Sequence, residues 1–449
     1  MAPMSAPRVP PAISGPSTDR LTLLVCGAAA VVMGMLVMRA RPKVAVVLWF
    51  LVVCFVPTWI EAKVVVLVPP TTLAAVTILV ALTPVLRGRL TVVDGAVGML
   101  FVACLLPSVI GVGSAASLFA VLMRWMVPFL LGRLIVGKVS SDWIYRCAGV
   151  LFSGVAVLAI AEFVTKVNPF VSLRTDNVDY RTWSPLQERG GLQRVEGAFG
   201  HSIALGASMA LVLPLILAST FRARIKVAMV SVILVAEVLT FSRIGIVCSV
   251  LALVLFVGFS KRGLTVRERR LAIGALVVGA VAAGPLLLAN FQRAGSEASL
   301  SAGYRAQLTD LLADINIIGL ASNQHRTPTG DIYFGGFQSI DNALILIGLT
   351  YGYLALVLAV LLLAALGVTV LRRRGNPPMI ALAAQIPAVA TVALITQYEM
   401  FLWFVVGLAL AELGEAHRRE GQPGLEGREP TISEADGHNS TARARAEAL

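Results

Sequence analysis

The chain has 449 residues, is 57% hydrophobic and only 14% charged, and carries a formal net charge of +12. A soluble domain holds roughly 25% charged residues, so this composition excludes a soluble globular protein. The positive charge is no nucleic-acid footprint either: no aromatic-interleaved basic domain accompanies it, and Lys and Arg cluster in short connections between apolar runs.

Residues 1–20 are rich in Pro and Ser and read as disordered. Apolar runs follow at 21–38, 44–60, 64–86, 92–112, 115–136 and 144–165. The first run could pass for a signal peptide, but with so many runs downstream an uncleaved first helix is the simpler reading. After a polar loop, 166–198, the runs resume at 199–220, 225–241, 243–259 and 271–289. A second polar loop, 290–339, precedes runs at 340–371, 379–396 and 400–413. The tail 415–449 alternates charges with Gly, Pro and Ser and reads as disordered and solvent-exposed. Each run approaches the roughly 20 residues that a helix needs to cross a bilayer core. The pattern predicts an all-α bundle of about 12–13 transmembrane helices over 21–414, with no length left for a separate soluble catalytic domain.

The basic clusters Arg87/Arg89, Arg222/Arg224/Lys226, Lys261/Arg262/Arg267/Arg269/Arg270 and Arg372/Arg373/Arg374 belong in the cytoplasm by the positive-inside bias. Loops 166–198 and 290–339 then face outside. Arg39, Arg41 and Lys43 also ask to be inside, which puts the N-terminus outside unless the first two runs do not both cross. All five cysteines (Cys26, Cys54, Cys104, Cys147 and Cys248) lie in apolar runs, with no CxxC spacing, so disulfides and thiolate metal sites are not expected. Asp176 and Asp179 have the look of a metal-carboxylate motif without further ligands, and no P-loop or Rossmann fingerprint occurs, so no metal and no cofactor are expected.

Both long loops carry chemistry. The first holds Arg174, Arg181, Arg189 and Arg194 beside Asp176, Asp179, Glu188 and Glu196. The second holds Arg293, Arg305 and Arg326 with Tyr304, Tyr333, Phe334 and Phe337. Loops longer than about 15 residues are functional or disordered, and mixed charge with aromatics favours function. The stretch 303–315 has helical spacing, with Leu308, Leu311, Leu312 and Ile315 on one side suited to the membrane surface. Arg124 lies deep in the run VLMRWMVPFLL and needs a partner or a polar cavity. Glu237 is the expected partner, and a structural ion pair and a substrate contact are equally open. Arg243 interrupts two apolar runs with almost no loop around it, a costly position unless it faces a polar cavity.

Three segments stand out: RVEGAFGHSIALG (194–206), LTFSRIG (239–245), and GYRAQLTDLLADINIIG (303–319) followed by SIDNALILIGLTYG (339–352). In this order, on this pattern of runs, the chain resembles the O-antigen ligase/polymerase family over roughly residues 90–414. The resemblance implies a GT-C-like bundle that transfers a glycan from a polyprenyl-diphosphate carrier to an acceptor hydroxyl at the outer face, without a metal. It assigns the diphosphate to Arg194, Arg243 and Arg305, and makes Asp341, beside Asn342, the candidate base or sugar contact. Many ligases of the family carry His-Asn where this chain has Asp341–Asn342. The departure puts a histidine base in doubt and favours polymerase over ligase. The alternative for Asp341 is a helix N-cap. His201 is a diphosphate contact or an interhelical hydrogen bonder, Glu196 a further base candidate, and Arg124 a further substrate contact.

The partners so implied are a polyprenyl-diphosphate-linked oligosaccharide and membrane lipids, with a flippase and a chain-length regulator, in the bacterial cytoplasmic membrane. Rival readings are a ligase acting on a lipid or wall acceptor, a solute transporter, and a non-catalytic scaffold of a wall-synthesis complex. A transporter would show discontinuous helices in paired halves, and the sequence has no internal repeat.

Overall fold

The computed structural model describes residues 31–63, 67–83, 90–260, 307–326 and 332–420, with a few isolated positions between them. Helices α1 (Val31–Ala40) and α2 (Pro42–Phe55) meet at Arg41, where Pro42 supplies the fixed φ suited to a helix start. A short hairpin, β1 (Ala62–Lys63) with β2 (Leu67–Val68), then delays α3 (Pro70–Leu82), so the run expected from 64 becomes helical only at 70. Next come α4 (Val92–Val109), α5 (Ala115–Ile135) and α6 (Ser141–Thr165). Thr91 and Asp94 form a reciprocal capping box at the start of α4.

The first long loop carries regular structure of its own. It contains α7 (Val178–Trp183) and the hairpin β3 (Glu188–Arg189) with β4 (Leu192–Gln193). Three helices follow: α8 (Ser202–Ala218), α9 (Ala223–Leu239) and α10 (Arg243–Phe259). Beyond the second loop, with its hairpin β5 (Gln324–Arg326) and β6 (Ile332–Phe334), lie α11 (Ala343–Tyr351), α12 (Tyr353–Leu371), α13 (Pro377–Ala383), α14 (Ile386–Val389) and α15 (Thr396–Glu420). The chain is mostly helical, and among the described residues five helices are long and apolar enough to cross a membrane: α4, α5, α6, α12 and the Thr396–Arg418 part of α15. The remaining apolar helices are shorter than the runs suggest. The run 271–289 and the termini 1–20 and 421–449 fall largely or wholly outside the described residues.

Two expected helices are broken. The run 340–371 divides at Gly352, whose φ of +100° and close approach to Ile317 exclude a side chain: a Cβ there would stand 2.6 Å from the Ile317 carbonyl. The freed backbone is satisfied by the second loop. Gly319 N–H donates to Tyr351 O (3.1 Å), Ala321 N–H to Leu349 O (2.8 Å), and Tyr353 N–H to Asn316 O (2.9 Å). The run 379–396 likewise divides into α13, α14 and a non-helical stretch before α15. The apolar side of 308–315 is turned inward. Leu308, Leu311 and Ile315 bury against Phe334, Ile340, Ile345 and Leu349.

Contacts sort the chain into two ends. At one, Arg133 pairs with Asp94 (2.8 Å), Asp142 accepts from Thr220 N–H (2.7 Å), and Asn376 donates to Ala409 O (2.8 Å). Lys43 lies 4.9 Å from the Trp143 ring centre, so the Arg39–Lys43 hinge joins this basic end. At the other, the loop end, Gln397 Nε2 donates to both Val56 O (2.9 Å) and Ala198 O (2.8 Å), and Leu320 N–H to Val112 O (3.2 Å).

Helix α8 is apolar on every side and, apart from the half-buried Ile203, is buried along its length, as such a helix must be. The tightest crossing joins α5 to α15, where a Cβ on Gly132 would overlap Phe404 O and one on Gly407 would overlap Phe129 O. Small residues permit this backbone approach. Gly407→Ala is therefore expected to lower stability by about 1–3 kcal/mol, the usual range for overpacking, read as a lower thermal midpoint in detergent. Gly98→Ala, with nothing within 4 Å of the added carbon, should cause no loss; equal midpoints for the two variants would refute the close crossing.

Candidate functional site

The loop-end site is organised by a carboxylate in the last turns of α6. Glu162 is buried and accepts three hydrogen bonds: from Glu196 N–H (3.2 Å), Gly197 N–H (3.0 Å) and Asn168 Nδ2 (3.1 Å). Asn168 also donates to Gly197 O (3.0 Å), closing a clamp on the 196–197 turn. Three residues on, Gly200 has φ +63° and packs against Trp59 and the Trp183 carbonyl, where a Cβ would stand only 2.7 and 2.8 Å away. The glycines of the GAFGH segment therefore hold a turn that a bulkier sequence cannot make.

That turn brings Arg194 and Glu196 to the end of α9. The β3–β4 hairpin delivers two arginines to the turn between α9 and α10: Arg194 Nε donates to Thr240 O (2.9 Å), and Arg189 Nη1 to Phe241 O (3.0 Å). Carbonyls at a helix C-terminus lack intrahelical donors, and the guanidinium groups supply them. Arg194 Nη1 also donates to Gln187 Oε1 (3.1 Å), which accepts Ser202 Oγ as well (3.1 Å). Arg243 opens α10 directly after this turn. Two guanidinium groups thus hold the carbonyls of residues 240 and 241, and a third arginine begins the next helix two residues on.

Glu196 is 1% exposed, and its Oε1 accepts Gln187 N–H (3.1 Å). Burial, and secondarily the Glu162 charge, push its pKa from 4.5 to about 7, against the opposing pull of Gln187 N–H and Arg194. His201 caps α8 by accepting Ile203 N–H at Nδ1 (3.1 Å). Burial first, then the Arg194 charge, lower its pKa from 6.5 to about 4. The imidazole is therefore neutral at pH 7, able to offer a hydrogen bond but not a cation.

No family model matches the chain, and no curated protein matches it.

Asp341 and Asn342 have different jobs. Asn342 is the N-cap of α11: its Oδ1 accepts Ile345 N–H (3.0 Å), and its Nδ2 donates to Ala390 O (2.7 Å). Asp341 is not the cap. It accepts from Ser339 Oγ (3.2 Å), and the Tyr304 hydroxyl donates to the Ser339 carbonyl. Arg305 falls outside the described residues. The third motif reaches the first two through residues 388–392. Ala343 N–H donates to Val392 O (3.1 Å), and Ala388 and Val392 pack with Ile203, two residues from His201, and Ile244, next to Arg243.

Arg124 sits in a π-helical stretch of α5, Ala120–Met126, a feature frequent at functional sites. Its expected partner, Glu237, is not its neighbour. The carboxyl groups that feel its charge are Glu61, beside β1, and Glu399 on α15, which accepts Trp125 Nε1 (2.5 Å). Burial, then the neighbouring Asp179 carboxyl, push the Glu61 pKa from 4.5 to about 7, while Arg124 pulls it down. Among the described residues no three His, Cys, Asp or Glu side chains form a metal-ligating group.

Glu162, Asn168, Gln187 and Arg189 complete this site although the motifs do not point to them. A carboxylate near the end of an apolar run was the available signal for Glu162; Gln187 carried none.

The Glu196 shift fixes a pH dependence. Its folded-state pKa is raised, so its contribution to stability is complete below pH 4.5 and is lost as pH rises to about 7. Unfolding followed across this window should show that decline in the wild type and a flatter profile in Glu196→Gln. Parallel profiles would remove Glu196 as its source.

Proposed function

We propose that the chain is a membrane-embedded glycosyltransferase that moves a glycan from a polyprenyl-diphosphate carrier to an acceptor hydroxyl, extending a surface polysaccharide. The observation that carries this reading is the pair Arg189 and Arg194 held on the 240–241 carbonyls, where Arg243 opens the next helix, with Glu196 two residues from Arg194. In this reading the basic end faces the cytoplasm and the loop end faces outward, as the positive-inside bias directs, in a bacterial cytoplasmic membrane.

The arginine forks take the diphosphate, whose charge grows as the glycosidic C–O bond breaks. The acceptor oxygen forms the new bond to the anomeric carbon with inversion. The electron pair leaves with the carrier diphosphate, and the hydroxyl proton passes to a carboxylate. Glu196, with a pKa near neutrality, suits a general base. Asp341 is the second candidate, and the loss of its capping alternative to Asn342 strengthens that case. His201, uncharged, contributes a hydrogen bond to the donor or to a facing helix, and Arg124 is a second cationic contact deeper in the bundle.

Purified protein given a polyprenyl-diphosphate-linked oligosaccharide is expected to lengthen it. Arg194→Ala should reduce the rate by roughly 10²-fold or more, and Arg194→Lys should recover only part, because an ammonium lacks the planar fork. Glu196→Gln should abolish the activity limb centred near pH 7. Loss confined to Asp341→Asn would transfer the base role to Asp341; wild-type rates in Arg194→Ala and Arg305→Ala would sink the transfer mechanism.

A second reading, a transporter, draws support from the breaks at Gly352 and between α13 and α14, since interrupted helices often line solute sites. Solute accumulation by proteoliposomes lacking any lipid-linked sugar would favour it.

A further inference from the structure

Glu237, in α9, has surroundings unlike those of the other buried acids. Glu162 holds three N–H donors and Glu399 holds the Trp125 indole. Glu237 is 1% exposed, and neither of its carboxyl oxygens has a hydrogen-bond partner. It is wedged between two helices at glycines: a Cβ on Gly206 of α8 would stand 2.7 Å from Oε1, and one on Gly245 of α10 would overlap it. A Cβ on Gly206 would also stand 3.5 Å from the Gly245 Cα, and one on Gly245 3.2 Å from the Gly206 Cα, so the carboxyl fills the notch where three helices converge.

An ionised carboxylate without donors in such a place is heavily penalised, and a buried group in that position keeps its proton instead. The surrounding ionisable groups do not relieve this. On α8 there is only the capping His201; on α10 there are Arg243 and Cys248, the latter a close neutral thiol; on α6, Glu162 is committed to its own clamp. None is a hydrogen-bond partner of Glu237. The first turn of α10 nevertheless favours negative charge, so an ionised Glu237 has a direction in which to find compensation.

We propose that Glu237 is an intramembrane proton-binding site, loaded while α8, α9 and α10 are closed at Gly206 and Gly245 and emptied when they part to admit water or Arg243. The ligand is a proton and not an alkali cation, because the atoms facing the carboxyl are glycine carbons and a hard cation requires several oxygen ligands. Occupancy is linked to the loop-end turn over a short path. The Glu237 carbonyl accepts Thr240 Oγ1 (2.7 Å), and the Thr240 carbonyl holds Arg194. The site goes beyond the glycan-transfer reading and stands without it.

The test uses the full chain in lipid vesicles and dicyclohexylcarbodiimide, an apolar reagent for un-ionised carboxyl groups. The carboxyl oxygen bonds to the carbodiimide carbon, the proton passes to nitrogen, and the adduct rearranges to a stable N-acylurea with no leaving group. Peptide mass spectrometry is expected to find the label on Glu237 at neutral pH, unaffected by sodium. The wild-type minus Glu237→Gln infrared difference should show an un-ionised carboxyl band that shifts in D₂O. An unlabelled Glu237 with no such band would overturn the proposal; so would suppression of the label by sodium of about tenfold, which would mean a cation site, or a band that never exchanges.

Discussion

A helix that stops within an apolar slab leaves N–H and C=O groups with no water to receive them, so each break must be met by another piece of chain. This constraint governs the loop end. The break at Gly352 draws in residues 316–321, the start of α11 takes the 390–392 carbonyls, and the end of α9 takes the Arg189 and Arg194 side chains. The first long loop, the described part of the second and the α13–α15 connection are fixed in place by this demand. The polar groups proposed to act on substrate are thereby carried to a common region as a consequence of satisfying backbone.

Arginine is suited to such double use. Its fork has five donors, so Arg194 can hold the Thr240 carbonyl and Gln187 while remaining a cation beside Glu196. The carboxyl groups diverge for the same electrostatic reasons. Donors around Glu162 make it an anchor, partial satisfaction and burial bring Glu196 to a pKa near 7, and the lack of donors around Glu237 leaves a proton as its natural companion. One residue type thus covers a structural, a candidate catalytic and a candidate proton-binding role through surroundings alone.

Packing makes these environments durable. At Gly132 and Gly407 two backbones touch, and at Gly206 and Gly245 the space of two missing side chains is filled by one carboxyl. Around them lies an aromatic core in which Trp49, Phe50, Phe152, Phe401 and Phe404 are wholly or almost wholly buried. Helices joined this closely shift as units rather than deform, so a change at the Glu237 notch would reach the 240–243 turn.

Much was readable from residues alone where the signal is local and repeated. Long apolar runs state a helical bundle, short basic connections mark one end, and charged aromatic loops mark the other, because hydropathy and charge act over windows of many residues. Choices that turn on a single residue or a distant partner were not readable. Asn342, not Asp341, caps α11; Gly352 divides a run of continuous hydrophobicity; the Arg124 charge acts on Glu61 and Glu399 instead of Glu237; and Glu162 holds a loop over thirty residues away. Each of these depends on which backbone or carboxyl group arrives from elsewhere in the chain, and that is set by helix packing, for which a linear pattern of apolar residues carries no address.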